Sequence, residues 1–166
     1  IGVHENGLLY GGQEGKALTW MNSRHPNGLT PTPRIGYAIE VNALWYNGIL
    51  FALELASSAD DMQFIDAHND LPEKTGNSMV RKFWNDDKRY VADHIHGKLK
   101  DWSVRPNMVI AASMKYTPFS KEQIKSIIDI AKRELLTPRG LRTLSPKNLD
   151  YKGRCKGNQH ERDLSY

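Results

Sequence analysis

The sequence predicts an all-α fold, read as one section of a larger ring of helices, and three observations point there. Residues 38–57 place Ile39, Val41, Leu44, Trp45, Ile49, Leu50, Phe51, Leu53 and Leu55 nearly all round a helical axis, the pattern of a helix buried on every side. After Ser120, the residues Ile124, Ile127, Ile128, Ala131 and Leu135 fall on one stripe, with Lys121, Lys125, Lys132 and Arg133 largely outside it. That is an amphipathic outer helix. Strand signals are weak throughout, the best being Lys88 to Ala92.

Taken in order, the opening from Gly2 to Gly36 holds seven glycines and three prolines and reads as irregular loop with short strand pieces. Loops of this length are usually functional or disordered. Leu8, Leu9, Tyr10, Leu18, Trp20 and Met21 argue against disorder. A helix follows from Ala38 to Ser57 and a second from Ser78 to Asp86. A third begins at Arg105-Pro106, proline being suited to the first helical position, and runs to Met114. The fourth starts at Ser120, with Gln123 three residues on completing a capping-box pattern, and ends near Thr137-Pro138. Arg139 to Tyr166 reads as loop. Four helices of mixed burial make an odd complete domain and a sensible section of a toroid.

At 166 residues the chain is one domain or a piece of one. With 39% hydrophobic and 25% charged residues it has a soluble composition able to bury a core. The apolar run Ile49 to Leu53 stops at Glu54, far short of the ~20 residues of a membrane helix. No signal peptide is visible, and a first residue of Ile suggests a trimmed or processed chain. The single cysteine, Cys155, permits no internal disulfide and fits a reducing compartment, so the expected location is cytoplasmic. Charge is uneven, net −2 over residues 1–114 and +6 over residues 115–166. The C-terminal cations are interleaved with acids and lack an aromatic stacking platform. They read as solvated surface, and no nucleic-acid partner is expected.

Side chains suited to a polyhydroxylated ligand gather in Thr19-Trp20-Met21-Asn22, in Thr32-Pro33-Arg34 and in Glu40-Val-Asn-Ala-Leu-Trp45-Tyr46. Aromatic rings stack on the apolar faces of a sugar, while Arg, Asn and Glu hydrogen-bond its hydroxyls. This order of motifs resembles the glucosidase domain of glycogen debranching enzymes, whose members carry Thr-Trp-Met-Asp, Thr-Pro-Arg and Glu-Ile-Asn-Ala-Leu-Trp-Tyr-Asn. The resemblance resumes at Phe83-Trp84-Asn85, at Asp101 with Arg105-Pro106-Asn107, at Glu134-Leu-Leu-Thr-Pro138, at Gly140 to Pro146 and at Tyr151-Lys-Gly153, covering essentially the whole chain. It implies an (α/α)6 barrel, a six-hairpin toroid completed by residues beyond 166. It also implies an amylo-alpha-1,6-glucosidase reaction releasing glucose from α-1,6 branch stubs of an α-glucan, with no metal or organic cofactor. Because the base would come from the far half of the barrel, the isolated chain is expected to be inactive.

Glycoside hydrolysis usually needs two carboxyl groups, and inverting enzymes hold them ~6.5–9.5 Å apart around a water. The resemblance places the acid at the position of Asn22, whose amide cannot supply an acidic proton but can bind a hydroxyl or the glycosidic oxygen. Three readings stand: a lineage in which another acid serves, with Glu40 the nearest candidate; a catalytically silent carbohydrate-binding relative; or an alteration of the natural residue. Glu40 either serves the sugar site or forms a structural ion pair with Arg34, because a carboxylate in an apolar helix needs a partner. Trp20, Trp45 and Tyr46 are sugar platforms or core. Asp101 and Arg105 match a family motif or simply balance each other, and Met108 stands where members usually have Gln.

A different class of function is suggested by Asp93-His94-Ile95-His96, with Asp66-Ala67-His68 upstream. On an extended strand His94 and His96 share a face and could ligate a metal, as in a metallohydrolase. Two histidines without a third ligand at fixed offset read more simply as surface residues. Cys155 between Arg154 and Lys156 has no identifiable partner base, and Gly11-Gly12-Gln13-Glu14-Gly15 matches no phosphate-binding loop.

Overall fold

Helices and short antiparallel hairpins share the chain, which overturns the all-α expectation and with it a purely helical section of an (α/α)6 barrel. The computed structural model describes residues 1–16, 18–22, 28, 30, 32–158 and 161–162. Parts of the opening and closing stretches read as loop, namely residues 17, 23–27, 29, 31, 159–160 and 163–166, lie outside the described set. The helices are α1 (Ile39–Ser58), α2 (Met62–His68), α3 (Leu71–Phe83), α4 (Asn107–Ser113) and α5 (Lys121–Glu134). The strands are β1 (Gly2–Val3), β2 (Leu9–Tyr10), β3 (Tyr37–Ala38), β4 (Trp84–Asn85), β5 (Tyr90–Val91), β6 (His94–His96), β7 (Leu99–Asp101), β8 (Leu136–Thr137) and β9 (Gly140–Leu141). They pair as β1–β2, β4–β5, β8–β9 and the three-stranded order β3-β6-β7.

Two- and three-residue strands leave no alternation to read, so their signal lies in the turns. Arg89 between β4 and β5 has φ 63°, Gly97 between β6 and β7 has φ 59°, and Gly140 opens β9 at φ 142°. Within Lys88 to Ala92, the best sequence candidate, Tyr90–Val91 is a strand.

The expected helix over 38–57 is α1, and the capped helix after Ser120 is α5. In α5 the Ser120 hydroxyl accepts from Gln123 N–H and the Gln123 amide oxygen accepts from Ser120 N–H. The helix expected over 78–86 instead runs from Leu71, with Pro72 in its first turn, and stops at Phe83 because Trp84 turns extended into β4. Helix α2, capped by Asp61 accepting from Phe64 N–H, is too short to show periodicity and was not expected.

Leu8, Ile39, Ala43, Met79, Phe83, Val91, Met108, Ile127 and Leu135 form one continuous core. Helix α1 packs on α2, α3 and α4, and α5 packs on α4. Helix α1 is not buried on all sides. Its N-terminal part is, but Leu44, Phe51 and Leu55 are 55%, 56% and 55% exposed. With Gly48 they form an open apolar stripe, because no described neighbour covers that side. No helix among the described residues is long and apolar enough to cross a membrane.

Gly36 makes the closest approach to neighbouring backbone among the described glycines. Its N–H and C=O exchange hydrogen bonds with Gly11 at 2.7 and 2.9 Å. At φ +130°, a Cβ there would collide with the Ile95 carbonyl. Gly48, by contrast, lies in mid-helix with open space at its Cβ position. Gly36→Ala is therefore expected to destabilise by about 2 kcal/mol or more, combining forbidden φ with a backbone clash. Gly48→Ala is expected to stabilise by about 0.5–1 kcal/mol. Paired chemical denaturation curves check the opposite signs.

Candidate functional site

The N-terminus of α1 lacks a side-chain cap, since residue 38 is alanine. The Asp93 backbone carbonyl takes that place, accepting from Ile39 N–H at 3.1 Å. The antiparallel pairing of β3 with β6 brings Asp93 there: Tyr37 faces Ile95 and Ala38 faces His94. Arg34, just upstream of β3, reaches into the same corner. Its two terminal nitrogens donate to the two Glu40 carboxylate oxygens at 2.9 and 2.8 Å. Nη2 also donates to the Asp93 carbonyl at 3.0 Å and lies 3.4 Å from its carboxylate. The two carboxyl groups thus share one guanidinium.

From Asp93 the network continues outward. Asn107, the first residue of α4, donates through Nδ2 to Asp93 Oδ1 at 2.7 Å. Its own Oδ1 accepts from the Trp20 indole N–H at 2.8 Å. Arg34 Nη1 and Asn107 Nδ2 both approach the Met21 sulfur, at 3.2 and 3.5 Å. Met21 is buried, Trp20 is 43% exposed and Asn22 is exposed. The Thr19-Trp20-Met21-Asn22 segment is thereby pinned through its middle residues, and Asn22 is presented to solvent beside the buried cluster.

Burial raises the pKa of both carboxyl groups. Glu40 is 2% and Asp93 3% exposed. Desolvation pushes Glu40 up, reinforced by the nearby Asp93 charge, and Arg34 offsets only part of this. Asp93 is also pushed up by desolvation, against Arg34, Asn107 and Arg105. The position of Glu40 in the first turn of α1 favours its charge through the helix dipole.

The remaining sequence candidates lie around this centre. Trp45 is half-buried, its indole N–H donating to the Gly7 carbonyl at 3.0 Å. Tyr46 is half-buried against Gly76, and burial raises its phenol pKa. Arg105 is buried, with Nη1 on the Thr143 carbonyl at 3.4 Å, close enough to lower the pKa of Asp93. The Asp101 backbone carbonyl accepts from Asp93 N–H at 2.8 Å, while its side chain accepts from Ser103 N–H at 2.8 Å. Arg34, Glu40 and Trp20 are therefore joined in one network, whereas Trp45, Tyr46 and the Asp101 carboxylate are outside it.

Asp93 and Asn107 are the members that sequence reasoning did not assign to the site. Asp93 was visible only as the start of the two-histidine motif, and Asn107 only as the end of Arg-Pro-Asn. His94 Nε2 lies 2.9 Å from the Ile35 carbonyl, and His96 is exposed. Among the described residues no three His, Cys, Asp or Glu side chains gather as metal ligands.

Removing Arg34 leaves two buried carboxyl groups facing each other. Arg34→Met is expected to cost about 3–5 kcal/mol at neutral pH, as for other broken buried pairs, and less on acidification as the carboxyl groups take up protons. The pH dependence has a definite sign. The folded-state pKa of Glu40 and Asp93 lies above the ordinary 4.5 and 3.8, so the folded state holds protons more tightly than the unfolded one. Their contribution is complete below those ordinary values and is lost as pH rises through the folded values. Glu40→Gln should therefore flatten the decline in melting temperature as pH rises from about 4.5 toward neutrality. A series of melting curves on the wild type and both variants checks this.

The sequence model of the family described as "Amylo-alpha-1,6-glucosidase" matches residues 1–166. A glycogen debranching enzyme of Saccharomyces cerevisiae is 27% identical over 185 aligned positions, covering 88% of this chain and 12% of that protein. The chain thus spans about an eighth of the length of that curated relative. With its whole length matched, the chain belongs to the amylo-alpha-1,6-glucosidase family of glycogen debranching.

Proposed function

We propose that the protein carrying this chain is a glycoside hydrolase acting on α-1,6 branch stubs of an α-glucan, and that this chain contributes part of the sugar site. The observation that carries the reading is the pinned signature segment. Trp20 is held by Asn107, and Met21 lies between Arg34 and Asn107, with Trp20 43% exposed and Asn22 at the surface beside them. In this reading Trp20 stacks on a glucosyl ring, and Asn22 hydrogen-bonds a hydroxyl or the glycosidic oxygen. Arg34, Glu40, Asp93 and Asn107 hold the segment in place. A cytoplasmic location, suggested by the lone Cys155, accompanies it.

A second reading, a carbohydrate-binding relative without turnover, is favoured by the amide at Asn22. An amide has no proton to give a leaving alkoxide. Burial raises the pKa of Glu40, yet both its oxygens are held by Arg34, so delivering a proton to a sugar would require that pair to open.

The two readings separate in the full-length protein. Hydrolysis of an unactivated α-1,6-linked substrate supports the first; binding of a branched maltooligosaccharide without turnover supports the second. If the position of Asn22 lacks only its acid, Asn22→Asp is expected to raise turnover of the unactivated substrate by roughly 10²–10⁴-fold. An activated aryl glucoside, whose leaving group needs little protonation, should gain far less. If Glu40 already supplies the proton, Asn22→Asp brings little gain, and Glu40→Gln abolishes turnover of the unactivated substrate while sparing the activated one. Rates unaltered by either substitution, in folded and binding-competent protein, would rule out both positions.

A further inference from the structure

Between the segment 101–104 at the end of β7 and the segment 145–148 lies a groove of about 450 Å³. Tyr90, Trp102 and Val104 supply its apolar lining; Asp101, Ser103, Glu134, Ser145, Lys147 and Asn148 supply its polar lining. Asp101, Glu134 and Ser145 belong to the motifs quoted above, but the network around Arg34 does not include their side chains. Resting on the α-glucan reading above, we propose that this groove is a second carbohydrate-binding site, holding a glucosyl unit of a linear α-1,4-linked segment away from the branch point.

Two features of the groove fit a neutral sugar. The first is a fixed aromatic wall. Trp102 is half-buried and meets Tyr90 edge-on, with ring centroids 6.0 Å apart, and the Tyr90 hydroxyl donates to the Trp102 carbonyl at 2.9 Å. The indole is thus oriented before any ligand arrives, and its N–H has no acceptor among the described residues. A held ring with a free donor can stack on the C–H face of a pyranose and bond a hydroxyl at its edge.

The second feature is a prearranged polar wall. Glu134 accepts from Ser145 Oγ at 2.8 Å and from Lys147 Nζ at 3.0 Å, and Asn148 Nδ2 donates to Ser103 Oγ at 3.0 Å. Burial works against the charge on Glu134, but the hydrogen bonds of Ser145, Lys147 and Arg133 outweigh it and keep its pKa low. Its Oε1 already accepts from Lys147 and Arg133 and, among the described residues, its Oε2 from Ser145 alone, which leaves Oε2 the oxygen with room for a sugar hydroxyl. The exposed Lys88 and Lys100 ammonium groups lie over the indole at cation–π distance, 5.8 and 5.7 Å from its centroid, and a stacking pyranose would displace these side chains from the face it covers. Volume, aromatic wall and convergent polar groups match a small-ligand site better than a protein-docking face.

The test uses the full-length protein with Trp102→Ala, with Trp102→Leu, which keeps apolar bulk beside Tyr90 but presents no flat ring, and with Trp102→Phe. Calorimetric titration with linear maltoheptaose reads affinity, melting curves read folding, and hydrolysis of the shortest branched substrate reads the reaction centre. We expect Trp102→Leu to bind maltoheptaose about tenfold more weakly, the size of a lost stacking contact. Trp102→Phe should retain most of the affinity. Trp102→Leu should melt somewhat lower, since the Trp102 ring packs against the core, but stay cooperatively folded, with turnover of the short substrate at the wild-type value. Unchanged maltoheptaose affinity in a folded Trp102→Leu protein overturns this site while leaving the glucan reading standing. Parallel loss of short-substrate turnover also overturns it, assigning Trp102 to the reaction centre. A wild-type protein that binds neither linear nor branched glucan overturns the glucan reading and this inference together.

Discussion

One guanidinium holds the centre of this molecule together. Arg34 neutralises part of two buried carboxyl groups and bonds the carbonyl that caps α1. Buried charges are tolerable only when paired and hydrogen-bonded, and here every partner comes from a different part of the chain. Arg34 precedes β3, Glu40 opens α1, Asp93 precedes β6, and Asn107 opens α4. Pairing Arg34 brings the opening loop, the first long helix and the segment before β6 to one place, and Asp93 then draws in α4 through Asn107. The position of the signature segment follows from that requirement rather than from its own sequence.

This arrangement separates what holds the site from what can touch a ligand. Glu40, Asp93 and Asn107 are buried and mutually bonded, whereas Asn22 and part of Trp20 face solvent. A polar scaffold behind an exposed aromatic and amide keeps its shape through its own hydrogen bonds. The cost of that order is borne by the raised carboxyl pKa values, so the site is tied to pH through its support and not only through any reacting group.

The expected helices at 38–57 and 120–136 correspond to α1 and α5 because their signals are local: dense apolar residues in one, a stripe with a capping box in the other. The all-α reading failed where structure depends on turns. Each hairpin strand has two or three residues, too few for alternation, and is created by a reversal such as Gly97 at φ 59°. The all-round apolar surface of α1 was read as burial, yet Leu44, Phe51 and Leu55 remain open. Composition tells how apolar a helix is but not whether anything lies against each side.

Sequence by itself determined the family and that residue 22 offers an amide rather than a carboxyl group, because those are properties of residue type and order. It also raised Arg34 as a partner for Glu40, since a carboxylate in an apolar helix demands a cation. Only the tertiary structure decided that Asp93 and Asn107 belong to the same network and that Asp101 lines a separate groove. Asp93 lies 59 positions from Arg34 and Asn107 lies 87 from Trp20. Contacts at such separations are set by how the sheet and helices pack, and no local pattern in the chain encodes them.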